Sequence, residues 1–275
     1  MPDEKVLQVA ILIWGCAFCA IAALCIFLSS NYDREKRRYL ILMESFASLL
    51  LLMDAMAHIF SGYPGVPGSV MVRISSFLVF LLSDVVLLCF HIYVCVYLFS
   101  KRERRTLKRV KAGYVIAAAE VAFVVISQFT HWHYYIDGDN CYHRAPLYIM
   151  SILLSAAGLL IDLTLLLQYK KRVSRKLLFS MLSCIVLPAV AAAVQAFWYG
   201  ISLIEFSVGI SMIIMFIVTM TELNQEMYQL ISREGKIKER LEIATILNKC
   251  IAELISGEDE DAAILFHGVL LPKDT

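Results

Sequence analysis

Charge is scarce in this chain. Only 18% of its 275 residues are Asp, Glu, Lys or Arg, and there are just 12 glycines and 6 prolines. An ordinary soluble domain carries about 25% charged and about 45–50% apolar residues. Too little Gly and Pro excludes a low-complexity or collagen-like chain. Too little charge, set against 60% hydrophobic residues, excludes intrinsic disorder. It also argues against a single soluble domain, whose surface would be left too apolar. The balance of 25 basic and 24 acidic residues leaves a net charge of +1, which points to no nucleic-acid partner.

What is present is a set of long apolar runs separated by basic clusters. Seven runs, at about 6–30, 39–61, 73–99, 113–130, 146–168, 177–198 and 201–221, each approach the length that crosses a hydrocarbon core. Glu120 interrupts the fourth, and a tight turn at Trp198, Tyr199 and Gly200 separates the last two. Sixteen of the 25 cations lie in three clusters, Arg34–Arg38, Lys101–Lys111 and Lys170–Lys176, in the connections 1–2, 3–4 and 5–6. The other side holds Lys5, Arg73 and Arg144. The positive-inside rule then puts the amino terminus outside and the carboxyl terminus in the cytoplasm. The amino-terminal run is read as a retained span, because it is too long for a signal-peptide core and cations follow it. The expected fold is all-α: an integral membrane seven-helix bundle over 1–221, with the lipid bilayer as its first partner.

Of eight cysteines, six fall in spans, Cys250 follows them, and Cys141 alone is in an external loop, so no disulfide framework is implied. Cys16 and Cys19 have redox or metal spacing, but small residues at that spacing inside a span let helices approach one another.

After Thr221 the composition turns polar without a proline break. Residues 222–255 read as a cytoplasmic helix carrying a heptad. Its seam falls at Leu223, Met227, Leu230, Glu234, Ile237, Leu241, Ala244, Asn248, Ile251 and Ile255. Eight of these ten are apolar, and a polar Asn on the seam sets register in two-stranded coils. Parallel homodimerisation is therefore expected. The competing reading is a lone amphipathic helix lying on the bilayer, and the mixture of Glu and Lys on its polar face argues against it. Glu234 and Gly235 are the expected weak point, a break or a hinge. Residues 256–275, with the acidic run Glu258–Asp261, read as the truncated or divergent start of a missing output domain.

Four features carry a family resemblance. They are the Arg-rich first internal loop leading to the run Leu49–Ala55, and the external loop with Tyr134, Tyr135, Ile136, Asp137, Asn140, Cys141, Tyr142, His143 and Arg144. The others are the stretch from Glu222 into the coiled helix, and the stretch Leu247–Asp259. Together they resemble the amino-terminal seven-span sensor region of bacterial membrane-bound signalling proteins, the diguanylate cyclases and seven-span histidine kinases. The resemblance implies a multi-pass protein of the bacterial cytoplasmic membrane that relays a stimulus to such an output. The chain departs from those proteins in having no GGDEF sequence, no phosphoacceptor His in its usual setting and no Gly-rich nucleotide box. It is accordingly expected to be no enzyme by itself and to need no cofactor.

Ionisable residues inside spans cost about 2.5–3.5 kcal/mol each on the insertion scale, which makes them functional candidates. Asp54, His58, Asp84, His91, Glu120 and Asp162 are the candidates for a ligand or switch site, with Glu44 and Glu205 nearer the interfaces. Asp54 and His58 share a helix face. Interhelical hydrogen bonding that merely specifies the bundle is the plainer alternative. In the external loop His131, His133, Tyr135, Asp137, Tyr142 and Arg144 are the candidates for contact with an unidentified small molecule. His131, His133, Asp137, Asp139, Cys141 and His143 cluster, but their spacing matches no closed zinc site, so no metal is expected. The loop aromatics suit a membrane interface.

The leading function is a transmembrane sensory module. An animal-type G-protein-coupled receptor fits the topology, but no proline occurs from Trp198 to Ile255, so the Asn-Pro-x-x-Tyr motif is lacking. A retinal receptor would need a Lys in span seven. An intramembrane metal hydrolase would need His in a late span, and spans four to seven have none. A small-molecule or ion transporter is the remaining alternative, weakened by the lack of a clear internal repeat.

Overall fold

The computed structural model describes residues 2–29, 33–197 and 201–256. The turn expected at 198–200, the seam position Ile255 as a side chain, and the segment 257–275 lie outside the described residues. Among the described residues the protein is helical save for one small hairpin, and it divides into two units, 1–220 and 221–275.

The first unit contains seven helices long and apolar enough to cross a membrane. They are α1 (Pro2–Leu28), α2 (Arg34–Phe60), α3 (Val66–Leu98), α5 (Lys108–Thr130), α6 (Tyr148–Gln168), α7 (Arg175–Phe197) and the first part of α8 (Leu203–Ser256). The short α4 (Lys101–Thr106) lies in the third connection, within the second basic cluster. A reciprocal cap made by Ser100 and Glu103 starts it. Strands β1 (Tyr134–Ile136) and β2 (Tyr142–Arg144) form the hairpin. Helix α3 begins seven residues before its apolar run. Gly65, at φ 89°, turns the chain, and Pro67 pre-sets the first turn.

Helix α3 is the most enclosed of the spans. It packs on α2, α5 and α6, while α1 lies on α2, and α7 lies on α6. Ser211 of α8 donates to the Ser183 carbonyl of α7 at 3.2 Å. Leu51 of α2 is a second junction. A Cβ added at Gly15 of α1 would meet its Cδ1 at 3.0 Å, and one at Gly209 of α8 would meet it at 3.2 Å. Glycine at both places lets three helices close on one leucine. Many large apolar side chains face outward, among them Trp14, Val115, Phe129, Leu153, Phe179 and Ile217. Such a surface suits lipid and not water.

The connections gather at two ends. At one, Arg104 makes a bidentate pair with Glu35 at 2.9 and 3.0 Å. Arg172 reaches Glu103 at 3.2 Å and the Leu98 carbonyl at 2.8 Å, and Lys36 sits 3.9 Å above the Tyr97 ring. These contacts bring the three basic clusters together. At the other end Lys5 donates to the Ser61 carbonyl. The Gly62 N–H donates to the Asn140 carbonyl at 3.1 Å, and the Asn140 side-chain amide donates to the Tyr63 carbonyl at 2.9 Å, joining the second and fourth connections. Arg144 reaches the Gln195 carbonyl at 3.3 Å. We call these the basic end and the hairpin end.

Candidate functional site

Three polar groups are buried in the bundle, and they divide the candidate residues between them. The first lies toward the hairpin end. Here His58 Nε2 stands 3.0 Å from Gln8 Nε2 of α1, 2.8 Å from Ser202 Oγ and 3.7 Å from Asp54 Oδ1. The Gln8 amide nitrogen can only donate, so Nε2 accepts and the ring is neutral. Asp54 and Glu205 are both buried, and Asp54 Oδ2 and Glu205 Oε2 have no hydrogen-bond partner. The i, i+4 pairing of Asp54 with His58 is legible in the sequence. Gln8, Ser202 and Glu205 come from other helices, and no spacing rule connects them to it.

The second group lies between α3, α5 and α6. His91 Nδ1 is 2.6 Å from Asp162 Oδ1, and Nε2 is 3.1 Å from the Val110 carbonyl. A carbonyl only accepts, so Nε2 carries a hydrogen, and one further proton is shared between Nδ1 and the carboxyl. The pair is therefore neutral whichever partner holds that proton. Any Cβ at Gly113 would overlap the His91 ring, so glycine at 113 is what seats the imidazole. Tyr114 meets it edge-on. A small cleft opens beside the pair, lined by Leu87, His91, Glu120, Ser155, Gly158 and Asp162 among others. It has room for about one water-sized group. Glu120 is 5% exposed with Oε1 unpartnered. Asp84 is likewise buried with Oδ2 unpartnered, and it neighbours Glu120. The third group is Glu44, fully buried with neither carboxyl oxygen hydrogen-bonded.

The connection between α5 and α6 is a small folded element. The pairing Tyr134 with Arg144, Tyr135 with His143 and Ile136 with Tyr142 sets its register. Asp137 accepts from the backbone N–H groups of Cys141 and Asp139, at 2.8 and 3.0 Å, and its other oxygen meets His143 Nε2 at 2.7 Å. The Cys141 backbone bond, then the His143 contact, hold its carboxyl below the usual carboxylate range. His133 turns inward and is fully buried, against Phe80 (4.2 Å between ring centres), Tyr148 (5.3 Å), Phe123 (5.7 Å) and Tyr134 (5.9 Å). Neither ring nitrogen has a partner. Burial pushes its pKa down from the ordinary 6.5 to about 4, so the ring is neutral. His131 ends α5 in a left-handed conformation and is exposed. Arg144 lies 4.7 Å over the Tyr148 ring, Tyr142 meets Phe80 and Tyr134 at a tilt, and Tyr135 stacks on His143. The six metal-ligating types of this loop therefore go different ways. Among the described residues no group of three or more His, Cys, Asp or Glu is placed to hold a metal ion.

The second unit, taken by itself, is the continuation of α8. It runs unbroken through Glu234 and Gly235, where a break or hinge is expected from sequence. One glycine costs a helix about 1 kcal/mol, and the neighbours Arg233, Lys236 and Lys238–Leu241 are mostly good helix formers. Of the seam residues, Met227, Leu230, Ile237, Leu241 and Ile251 are exposed apolar side chains; Asn248 is exposed as well, and Leu223 is half-buried.

No family model matches this chain, and neither a curated protein nor a solved structure matches it.

Proposed function

We propose that this chain is the sensory module of a bacterial membrane signalling protein, with its amino terminus outside and its carboxyl terminus in the cytoplasm. An external or membrane-borne stimulus shifts the packing of the seven spans, and α8 carries the shift to a diguanylate cyclase or histidine kinase output not contained in this chain. The chain itself catalyses nothing. The observation that carries this reading is that one helix, α8, holds both ends of such a relay. Its first turn places Glu205 near Asp54, next to the His58 and Ser202 contact. Further along, it presents an apolar stripe, with Leu230, Ile237 and Leu241 each at least 60% exposed. The stripe from Leu223 to Ile251 covers about four heptads, enough for a coiled coil. A second copy of the chain is the partner that such a stripe fits, because its seam is self-complementary.

Orientation rests on the imbalance of 16 clustered cations against three. The external loop then stands outside, with the Asp54 and His58 group beneath it. A two-state bundle needs a group whose interactions differ between states, and buried carboxyls with unused oxygens meet that need. Sedimentation of the full chain in lipid nanodiscs or mild detergent over a concentration series tests the relay. A reversible monomer–dimer equilibrium that Leu230→Lys and Leu241→Lys abolish is the expected result. A chain that stays monomeric throughout has no lever, and the reading fails.

A further inference from the structure

The cleft between α5 and α6 combines four properties. Its floor is polar and buried: Glu120, Asp162 and His91 are each no more than 5% exposed. Its rim is small and apolar, with Leu87 of α3, Ile116 of α5, and Gly158 and Leu159 of α6 only part-buried, so the opening lies at the surface of the bundle where these helices meet. Its free space is that of a single water-sized group. Its carboxyls have no cationic partner. The His91–Asp162 pair is internally neutral, and no ion pair among the described residues reaches Glu120 or its neighbour Asp84.

We propose that this cleft binds the primary ammonium headgroup of a single-chain, membrane-dissolved amine, entering from the lipid side. Each property selects part of that ligand. A primary ammonium has three hydrogens, and Glu120 Oε1, Ser155 Oγ and Asp162 are three acceptors lining one small space. Ser155 donates its own hydrogen to the Ser151 carbonyl, which leaves its oxygen free to accept. Size excludes a quaternary ammonium and a phosphate. The apolar rim and its position on the spans select an alkyl chain over a free ammonium ion. Gly158 keeps the entrance open: a Cβ there would touch only Ile116, at 3.7 Å, while a larger side chain would fill the mouth. The proposal deepens the sensor reading and rests on it for the meaning of the binding; the binding itself is a separate fact.

The test uses the full chain in nanodiscs of neutral lipid, with dodecylamine as the probe. Dodecyltrimethylammonium and dodecyl phosphate serve as comparators, and thermal unfolding is the readout. Dodecylamine should raise the melting temperature saturably, with both comparators at least about tenfold weaker, as expected when a charged hydrogen bond is lost. Glu120→Gln, which keeps shape but not charge, should weaken dodecylamine by about the same factor. Gly158→Leu should abolish the effect without lowering the unliganded melting temperature. Equal responses to the two amines overturn the proposal as mere partitioning into lipid. An undiminished response in Glu120→Gln or Gly158→Leu overturns it as a site elsewhere. Sedimentation of the same preparations scores the sensor reading separately, so a dimeric chain that ignores dodecylamine removes this proposal alone.

Discussion

A methyl group at Gly113 would occupy the space of the His91 imidazole. Gly113→Ala should therefore push His91 off Asp162 and lower stability by about 1–3 kcal/mol, the usual effect of overpacking. Thermal unfolding followed by circular dichroism measures it. The double variant Gly113→Ala with His91→Ala should be no less stable than His91→Ala alone, since the clash is gone. His133 makes a different prediction. Its depressed pKa means that the folded hairpin prefers the neutral ring. Its contribution is complete above the ordinary value of 6.5 and is lost as pH falls toward and through about 4. Over that window the loss amounts to about 3 kcal/mol. The lowered pKa of Asp137 acts in the same direction: its contribution is present at neutral pH and disappears on acidification through its folded value. Hydrogen-exchange protection of residues 132–146, taken relative to unstructured amides at the same pH, should fall from pH 6.5 to pH 4, the range of the His133 shift, and His133→Phe should remove most of that dependence. At this scale the sequence reveals which residues are costly, because the cost of an ionisable group in a span depends little on fold. It does not reveal their partners. His91 meets Asp162 from 71 residues away, and Ser202 lies 144 from His58. Only Asp54 and His58, four apart, could be paired by spacing.

Helices are the most legible elements here, since each long apolar run became a helix with ends displaced by a few residues. The displaced ends follow local chemistry that hydropathy ignores, such as Pro67 and Gly65 before α3. The hairpin was not legible. Three-residue strands carry too little alternation to register, and their tyrosines read as interface anchors. Its register nevertheless explains the fate of the loop histidines: facing Tyr135 puts His143 within reach of Asp137, while His133, just before β1, turns into the aromatic group. Packing between elements was equally hidden. Leu51, held between Gly15 and Gly209, sits in an unbroken run of leucines, and nothing in the run marks it. Leu51→Ala should cost about 2–5 kcal/mol, as a buried cavity does. Leu52→Ala, 38% exposed in the same run, should cost far less. Thermal unfolding of the two variants side by side measures the difference.

For the whole molecule, the charge pattern and the contacts agree on one point. The three basic clusters, far apart in sequence, meet at one end through Arg104 with Glu35 and Arg172 with Glu103. That is the arrangement of helices that run back and forth through one bundle, with alternate connections at the same end. The central claim concerns what leaves this bundle: that α8 pairs with its twin along the Leu223–Ile251 seam. Single cysteines placed at each position from 223 to 251, in a chain whose eight native cysteines are replaced by serine, can be oxidised in native membranes and scored for cross-linked dimer. The account predicts maxima at Met227, Leu230, Ile237 and Leu241, with minima at Gln225, Ser232 and Glu239, the maxima repeating about every 3.5 residues. Uniformly low cross-linking, or maxima that follow the polar face, would contradict it.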